Sequence, residues 1–137
     1  MLGVTLDTNE YVSALEFGGA AARLLGMARA GIIRIDASNA ILDELITVLR
    51  DDFHWNAYRL HAARDQVARL TNVVTPARTV QVIADEPDNR ILECAETAES
   101  DYIISEDKDL LRLSEHAGIK IVRIGDFLRE IQPGRQR

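Results

Sequence analysis

The chain has 137 residues, of which 47% are hydrophobic and 28% are charged, and its formal net charge is −6. This length and composition allow a hydrophobic core and exclude a disordered or fibrous protein. The negative charge argues against a module that binds nucleic acid through a broad basic surface. It leaves open an enzyme whose carboxylates surround divalent cations.

The cysteine content and the N-terminal segment indicate where the protein works. Cys94 is the only cysteine, so no intrachain disulfide can form, which suits a reducing compartment. The segment MLGVTLDTNE has no basic region before its first acid, Asp7, and therefore does not resemble a secretory signal. No apolar run approaches the length of a membrane span. We expect a cytoplasmic protein without a membrane partner.

Apolar runs typical of strands alternate with helical patterns along the chain, which predicts an α/β fold with a parallel sheet and crossover helices. The strand candidates are residues 3–6, 32–35, 72–75, 80–83, 102–105 and 120–124. The helix candidates are residues 8–17, 20–31, 38–53, 55–70, 88–100, 109–118 and 125–131. The chain shows no repeat or linker, so we expect one domain over residues 1–131 and a frayed tail over 132–137.

The predicted helix over 38–53 shows a clear amphipathic pattern. Ser38 is a suitable N-cap for it. The apolar residues that recur at helical spacing are Ile41, Leu42, Leu45, Val48 and Leu49. We therefore expect one face of this helix to pack on the core. Further along the chain, Gly118 is expected to close the predicted helix over 109–118.

Two acidic residues closely follow predicted strands. Asp7 comes directly after VTL, and Asp107 lies shortly after YII. Because ligands of an open parallel sheet bind beyond the carboxyl ends of its strands, both acids stand where the fold would place a site. Asp7 is equally suited to cap a helix, so its role stays open between cap and ligand.

Two further acids belong to predicted helices. Glu44 is flanked by Ile41 and Leu45, and its neighbour Asp43 is a competing candidate. Asp88 lies in DEPDN at a helix start. An acid there is favoured by the helix dipole alone, but the same position would also aim its carboxylate into a crevice.

Carboxylates that converge repel one another, and their pKa values rise unless a cation lies among them. Oxygen ligands without a paired histidine or cysteine favour a hard ion, Mg²⁺ or Mn²⁺, over zinc. Such an ion activates a water and neutralises the charge on a leaving oxygen. The acids that together indicate phosphoryl chemistry are Asp7, Glu44, Asp88 and Asp107.

The order and spacing of these acids resemble the PIN domain. The residues that carry the resemblance are VTLDTNEYVSAL, SNAILDELITVL and DEPDNRILECAETAESDYIISEDKDLL. The likeness extends over nearly the whole chain and is strongest to bacterial and archaeal PIN-family toxin components, which are relatives of VapC-type toxins. It implies a PIN-like fold, a three-layer α/β/α sandwich with a central parallel sheet.

The resemblance also implies a function and a site. The function is an endoribonuclease that cleaves single-stranded RNA with Mg²⁺ or Mn²⁺ and a metal-activated water, often as the toxin of a toxin–antitoxin pair. The motif acids, which would be both catalytic and metal-binding, fall on Asp7, Glu44, Asp88 and Asp107. The supporting residues would be Asn9, Ser105 and Asp109, the last either behind the ligands or as a helix cap.

The expected partners are an RNA substrate, a cognate antitoxin and a second copy of the chain. The apolar and Ala-rich helices also favour a homodimer. Because the net charge is negative, local basic residues would have to contact the RNA. The candidates for this contact are Arg23, Arg29, Arg59, Arg64, Arg69, Arg135 and Arg137.

One residue departs from the family pattern. Glu10 stands where an apolar residue usually follows DTN, and it would either add charge near the site or face solvent. Two rival functions remain. One is a catalytically idle PIN-like module that binds RNA or protein. The other is a metal enzyme that acts on another phosphate ester, either structured DNA or a phosphomonoester.

Overall fold

The computed structural model describes residues 1–131, so the expected frayed tail over 132–137 lies outside the described residues. The elements in chain order are β1 (Leu2–Leu6), α1 (Thr8–Glu16), α2 (Gly19–Arg29), β2 (Ile33–Ser38), α3 (Asn39–Asp51), α4 (Ala57–Leu70), β3 (Asn72–Val74), α5 (Glu86–Ala98), β4 (Tyr102–Ile104), α6 (Lys108–Leu113), β5 (Glu115–His116), β6 (Ile119–Val122) and α7 (Ile124–Glu130).

The six strands form one sheet in the order β3-β2-β1-β4-β6-β5. Neighbouring strands are parallel except for β5, which runs antiparallel to β6. Crossovers between parallel strands are right-handed. The helices from α1 to α4 therefore lie on one face, and α5 and α6, whose connections run in the opposite direction across the sheet, lie on the other. The expected three-layer α/β fold with a central parallel sheet is confirmed.

The strand order creates a crevice at the carboxyl ends of the central strands. The chain runs from β1 outward to β2 and β3, and then returns to β4 on the other side of β1. The carboxyl ends of β1 and β4 thus border a topological switch point, where open parallel sheets bind ligands. The amide of Asp7 donates to the carbonyl of Ile104 at 3.0 Å. The segments after β1 and β4 therefore leave the sheet side by side.

The helix α3 follows its predicted pattern. The hydroxyl of Ser38 accepts a hydrogen bond from the amide of Ile41 at 3.3 Å, so Ser38 caps the helix as expected. The buried members of the predicted apolar stripe are Ile41, Leu42, Leu45 and Leu49. Each such side chain contributes about 1.5–3 kcal/mol by its removal from water. This burial fixes which face of α3 remains at the crevice.

The predicted strand over 80–83 is wrong, because this segment is a loop between β3 and α5. Side chains of α5 bind the backbone of the loop. The carboxylate of Glu93 accepts from the amide of Val80 at 2.8 Å, and Oδ1 of Asn89 accepts from two further amides of the loop at 3.0 Å each. The loop is apolar like a strand, but a helix rather than a neighbouring strand satisfies its amides.

The predicted helix over 109–118 is wrong in its second half. The helix α6 ends at Leu113, and Ser114 has a left-handed φ of 61°. The strands β5 and β6 then pair as a hairpin, and its turn contains Ala117 and Gly118 with φ values of 51° and 79°. Gly118 therefore closes a hairpin turn rather than a helix, because glycine adopts left-handed backbone without steric cost.

Two other features concern the cysteine and the apolar content of the helices. Cys94 is free and buried in α5, and burial raises the pKa of its thiol to about 12, so the thiol stays protonated. None of the helices within residues 1–131 is both long enough and apolar enough to cross a membrane.

Candidate metal centre

Asp7 and Asp107 follow the neighbouring strands β1 and β4, and each begins a helix. The carboxylate of Asp7 caps α1 by accepting from the amide of Asn9 at 3.4 Å. The carboxylate of Asp107 caps α6 by accepting from the amides of Asp109 and Leu110 at 2.8 and 3.1 Å. The capping role left open for Asp7 is therefore present. Helix capping was one of the two roles expected for Asp109, but the residue that caps α6 is Asp107.

Ser105 joins these two residues. It is buried just after β4, and its hydroxyl donates to Oδ2 of Asp7 at 2.6 Å. The same hydroxyl accepts from the amide of Asp107 at 2.9 Å. One side chain thus orients the carboxylate of Asp7 and the backbone that carries Asp107. This position suits the supporting role implied by the resemblance.

Glu44 of α3 and Asp88 of α5 reach the same place. One cavity of about 160 Å³ lies at the carboxyl edge of the sheet. The acids that line it are Asp7, Glu44, Asp85, Asp88 and Asp107, and the other lining residues are Thr8, Asn9, Val48 and Pro87. The structure therefore brings the four predicted acids together, with Asn9 among them. Asp85, which also belongs to DEPDN, is an additional acid in the cavity that was not among the predicted site residues.

Asp43, which competed with Glu44 as a candidate, lies outside this cavity. Its carboxylate is exposed and pairs with Nη1 of Arg64 at 2.8 Å. Glu44 forms no ion pair with residues 1–131 and lines the cavity. Adjacent residues on a helix point about 100° apart, so only one of these two acids can face the crevice.

Among residues 1–131, one group of carboxylates is close enough to share an ion. The nearest carboxylate oxygens of Asp88, Asp107 and Asp109 all lie within 4.8 Å of one another. Nη1 of Arg112 also donates to Asp109 at 3.0 Å. The other two predicted ligands line the cavity without joining this group. The carboxylate of Asp109 is therefore close enough to those of Asp88 and Asp107 to share an ion with them, and it does not lie behind the candidate ligands.

The environment of Asp88 is unfavourable for a negative charge. Burial, and then the negative charges of Asp107, Asp85, Asp7 and Asp109, raise the pKa of Asp88 to about 7. Its Oδ2 is buried and has no hydrogen-bond partner among the described residues. A buried carboxylate without a partner either holds a proton or requires a cation.

Glu10 adds a further buried acid beside this cavity. It lies one turn along α1 from Asp7 and is only 5% exposed. Burial, together with the charges of Glu106 and Asp7, raises the pKa of Glu10 to about 7. Burial also raises the pKa of Asp7, although the hydrogen bond from Ser105 opposes this shift. Of the two possibilities for Glu10, a solvent-facing side chain is wrong.

The donor set fits a hard divalent cation. The candidate ligands are all carboxylates, and Mg²⁺ and Mn²⁺ prefer oxygen ligands. Within residues 1–131, no lysine, arginine or histidine forms an ion pair with Asp7, Glu44, Asp88 or Asp107. The buried Oδ2 of Asp88 is an acceptor that such a cation would satisfy.

Two arginines of α4 that were predicted to contact RNA are engaged with neighbouring side chains. The guanidinium of Arg59 lies 3.7 Å from the ring centroid of Trp55, and Arg69 pairs with Asp65. Arg23 lines a groove of about 650 Å³ near the amino ends of β1 and β2, at the edge of the sheet opposite the acids. The two arginines of the tail, at 135 and 137, lie outside the described residues.

Comparisons with known proteins identify the family and the fold. The PIN domain matches residues 3–109. Among curated protein sequences, none matches this chain significantly. A chain in the crystal structure of VapBC2 from Rickettsia felis, bound to a DNA fragment from their promoter, has a similar fold with a TM-score of 0.62 and 13% sequence identity. The superposition covers 88% of this chain and 97% of that chain. Since the PIN domain match spans most of the sequence, the chain belongs to the PIN domain family.

Proposed function

We propose that the protein is a metal-dependent endoribonuclease that cleaves single-stranded RNA. The ligands of one or two Mg²⁺ or Mn²⁺ ions in this proposal are Asp7, Glu44, Asp88 and Asp107. The supporting residues are Asn9, Ser105 and Asp109. Membership in the PIN domain family supports a nuclease, and the shared cavity of carboxylates supports a hard cation.

The buried carboxylate of Asp88 is the observation that carries the proposal. Its Oδ2 has no partner among the described residues, and carboxylates of other elements line the same cavity. This arrangement is unfavourable for folding, because burial disfavours the charge and the neighbouring acids repel it. Clusters of this kind are typical of functional sites, where stability is given up for activity.

Neighbouring groups would orient the ligand carboxylates, and the cation would supply a Lewis acid. A divalent cation held by these acids would lower the pKa of water and neutralise the charge that develops on the leaving oxygen of a phosphodiester. Ser105 holds Asp7 through its hydroxyl, and the first amides of α6 hold Oδ1 of Asp107. Oδ2 of Asp107 accepts no hydrogen bond from residues 1–131, which leaves it available to a ligand.

We further propose that the protein is the toxin of a toxin–antitoxin pair and acts in the cytoplasm as a homodimer. The likeness of its fold to a chain of VapBC2 supports pairing with an antitoxin. Phe17 and Tyr58 are exposed aromatic side chains, a residue type that is enriched at protein interfaces. If a neighbouring gene encodes the antitoxin, its co-expression should relieve growth arrest caused by this protein.

The central test is cleavage of unstructured RNA in the presence of Mn²⁺. Asp7→Asn and Glu44→Gln should each lower the rate by at least about a hundredfold, because each removes a charged ligand. Asp43→Asn is the matched control on the same helix. It should cleave at the wild-type rate, because Asp43 is exposed and pairs with Arg64 outside the cavity.

Each alternative function predicts a different outcome. If Asp7→Asn cleaves RNA as fast as the wild type, the site assignment is wrong. If calorimetry detects no Mn²⁺ binding at millimolar concentration, a catalytically idle module is favoured. If the protein hydrolyses a phosphomonoester or structured DNA but not single-stranded RNA, the substrate belongs to another class of phosphate ester.

A further inference from the structure

A second cavity lies directly beside the candidate metal centre, and we call it the flanking cavity. Its volume is about 170 Å³, and its lining residues are Thr8, Ala40, Ile41, Glu44, Glu86, Pro87 and Arg90. The residues that it shares with the cavity of acids are Thr8, Glu44 and Pro87. Because the two cavities have these walls in common, a polymer bound at the metal centre can place its next group in the flanking cavity.

The walls of the flanking cavity differ from those of the metal centre. Ala40, Ile41 and Pro87 provide apolar surface, whereas Glu44 and Glu86 provide carboxylate acceptors. Apolar walls with a few polar groups are the usual composition of sites for small organic groups. They do not suit a second phosphate, which the two carboxylates would repel.

Arg90 does not reverse this preference, because its charge is already balanced. Its Nη1 lies 3.2 Å from Glu86, and its Nη2 lies 2.9 Å from Glu93 and donates to the carbonyl of Val80 at 3.0 Å. These contacts hold the guanidinium plane in a fixed orientation. Its Nε is buried and has no acceptor among the described residues. Arg90 therefore lines the cavity with a guanidinium that its partners hold in place rather than with a free positive charge.

We infer that the flanking cavity binds one base of the RNA, on a nucleotide adjacent to the scissile phosphate, and prefers bases with an exocyclic amino group over uracil. The base would lie against the apolar walls and the Arg90 side chain, which is a common arrangement for unstacked RNA bases. Its amino group would donate to the carboxylate of Glu86, as cytosine N4 does to acidic side chains. This inference rests on the proposed ribonuclease function.

The size of the flanking cavity agrees with a single base. Sites for drug-sized ligands measure about 300–1,000 Å³, and the flanking cavity is smaller, at about 170 Å³. Glu86 is exposed at the start of α5 and Ala40 is half-buried at the start of α3. Both can therefore be changed without opening the core.

The inference is tested by binding, so that it does not depend on cleavage. Fluorescent tetraribonucleotides of adenine, cytosine and uracil would be titrated in Mn²⁺ into the Asp7→Asn protein, in which the RNA should stay intact. The uracil tetramer should bind about tenfold more weakly than the cytosine tetramer, the size expected of one base contact. Adding Ala40→Leu, which fills the cavity, should bring the two dissociation constants together.

Glu86→Gln and Asp43→Asn complete the test. Glu86→Gln replaces a charged acceptor by a weaker neutral one. The ratio of the dissociation constant of the uracil tetramer to that of the cytosine tetramer should therefore fall by several-fold. Asp43→Asn makes the same change of charge outside the cavity and should keep the ratio. The inference is overturned if the uracil and cytosine tetramers bind the Asp7→Asn protein equally well. It is also overturned if the difference between them remains after both Ala40→Leu and Glu86→Gln.

The outcomes separate this inference from the ribonuclease proposal. If the base preference is present but the wild-type protein cleaves no RNA, the flanking cavity is a base site and the nuclease proposal fails. If the wild-type protein cleaves RNA but the dissociation constants are equal, the nuclease proposal stands and the base site is refuted.

Discussion

Asp36 in β2 and Asp88 in α5 are both buried carboxylates, but the fold balances the charge of only one of them. Asp36 lies in β2 and is fully buried. It accepts hydrogen bonds from Nε and Nη2 of Arg34 at 2.7 and 3.0 Å, from Ser100 at 2.7 Å and from Asn72 at 3.0 Å. These contacts join two strands to the segment before β4. The fold itself therefore supplies the cation and the donors that Asp36 needs.

Asp88 has no such partners among the described residues. Its neighbours within 4.8 Å are the carboxylates of Asp107 and Asp109, and its own Oδ2 has no donor. In this group Arg112 pairs with Asp109 at 3.0 Å and not with Asp88. The difference teaches how to separate two kinds of buried acid. An acid that serves the fold brings its own cation, whereas an acid that lacks one indicates a site for an external cation.

The largest expected effect breaks the balanced region. Arg34→Ala leaves Asp36 buried without its cation and should lower the free energy of unfolding by about 3 kcal/mol, measured by urea denaturation. Arg64→Ala, which breaks the more exposed pair with Asp43, is the control and should cost less than about 1 kcal/mol. Equal losses in the two variants would show that Asp36 does not depend on Arg34.

A change at Asp88 should have the opposite sign. In metal-free protein, Asp88→Asn removes a buried charge that its neighbours repel and should raise the free energy of unfolding by about 1–2 kcal/mol. In Mn²⁺ the order should reverse, because ion binding stabilises only a protein with its ligands intact. Thermal melts of both proteins with and without Mn²⁺ measure this. A destabilised metal-free variant would place Asp88 with Asp36 as a structural acid.

The pH dependence of the metal-free protein tests the raised pKa values directly. The folded-state pKa values of Asp88 and Glu10 are about 7, above their ordinary values of 3.8 and 4.5. The unfolded chain therefore loses these protons first, and the free energy of unfolding should fall as pH rises from about 4 to about 7, with each group lowering it by at most about 1.4 kcal/mol per pH unit. The decline should be shallower in Asp88→Asn. A free energy of unfolding that rises over this range would contradict the two raised pKa values.

Local patterns in the sequence predict the parts of the fold that depend on neighbours in the chain. The spacing of apolar residues predicts α3 and its buried face, and Ser38 caps that helix as expected. The patterns fail where a distant segment decides the structure. The loop over 80–83 is held by side chains of α5, and the segment after Leu113 pairs with β6 instead of continuing a helix.

The candidate site divides in the same way. Asp7 and Asp107 are predictable because both follow parallel strands, whose carboxyl ends meet at one edge of a sheet. Only the orientation of α3 against the core decides that Glu44, and not Asp43, lines the cavity. The burial of Glu10 has a local signal, since its position one turn after Asp7 puts both residues on the same side of the chain.

By itself, the sequence determined the α/β class and the order of the acids, because both depend on periodicity and on spacing along the chain. Only the tertiary structure decided which acids have a cation within the fold. Asp36 and Ser100 are 64 residues apart, and Gly3 leaves the space that the guanidinium of Arg34 occupies. Asp88 meets Asp107 and Asp109 across separate elements. Charge balance in a buried site depends on groups that folding brings together, and no local pattern encodes their meeting.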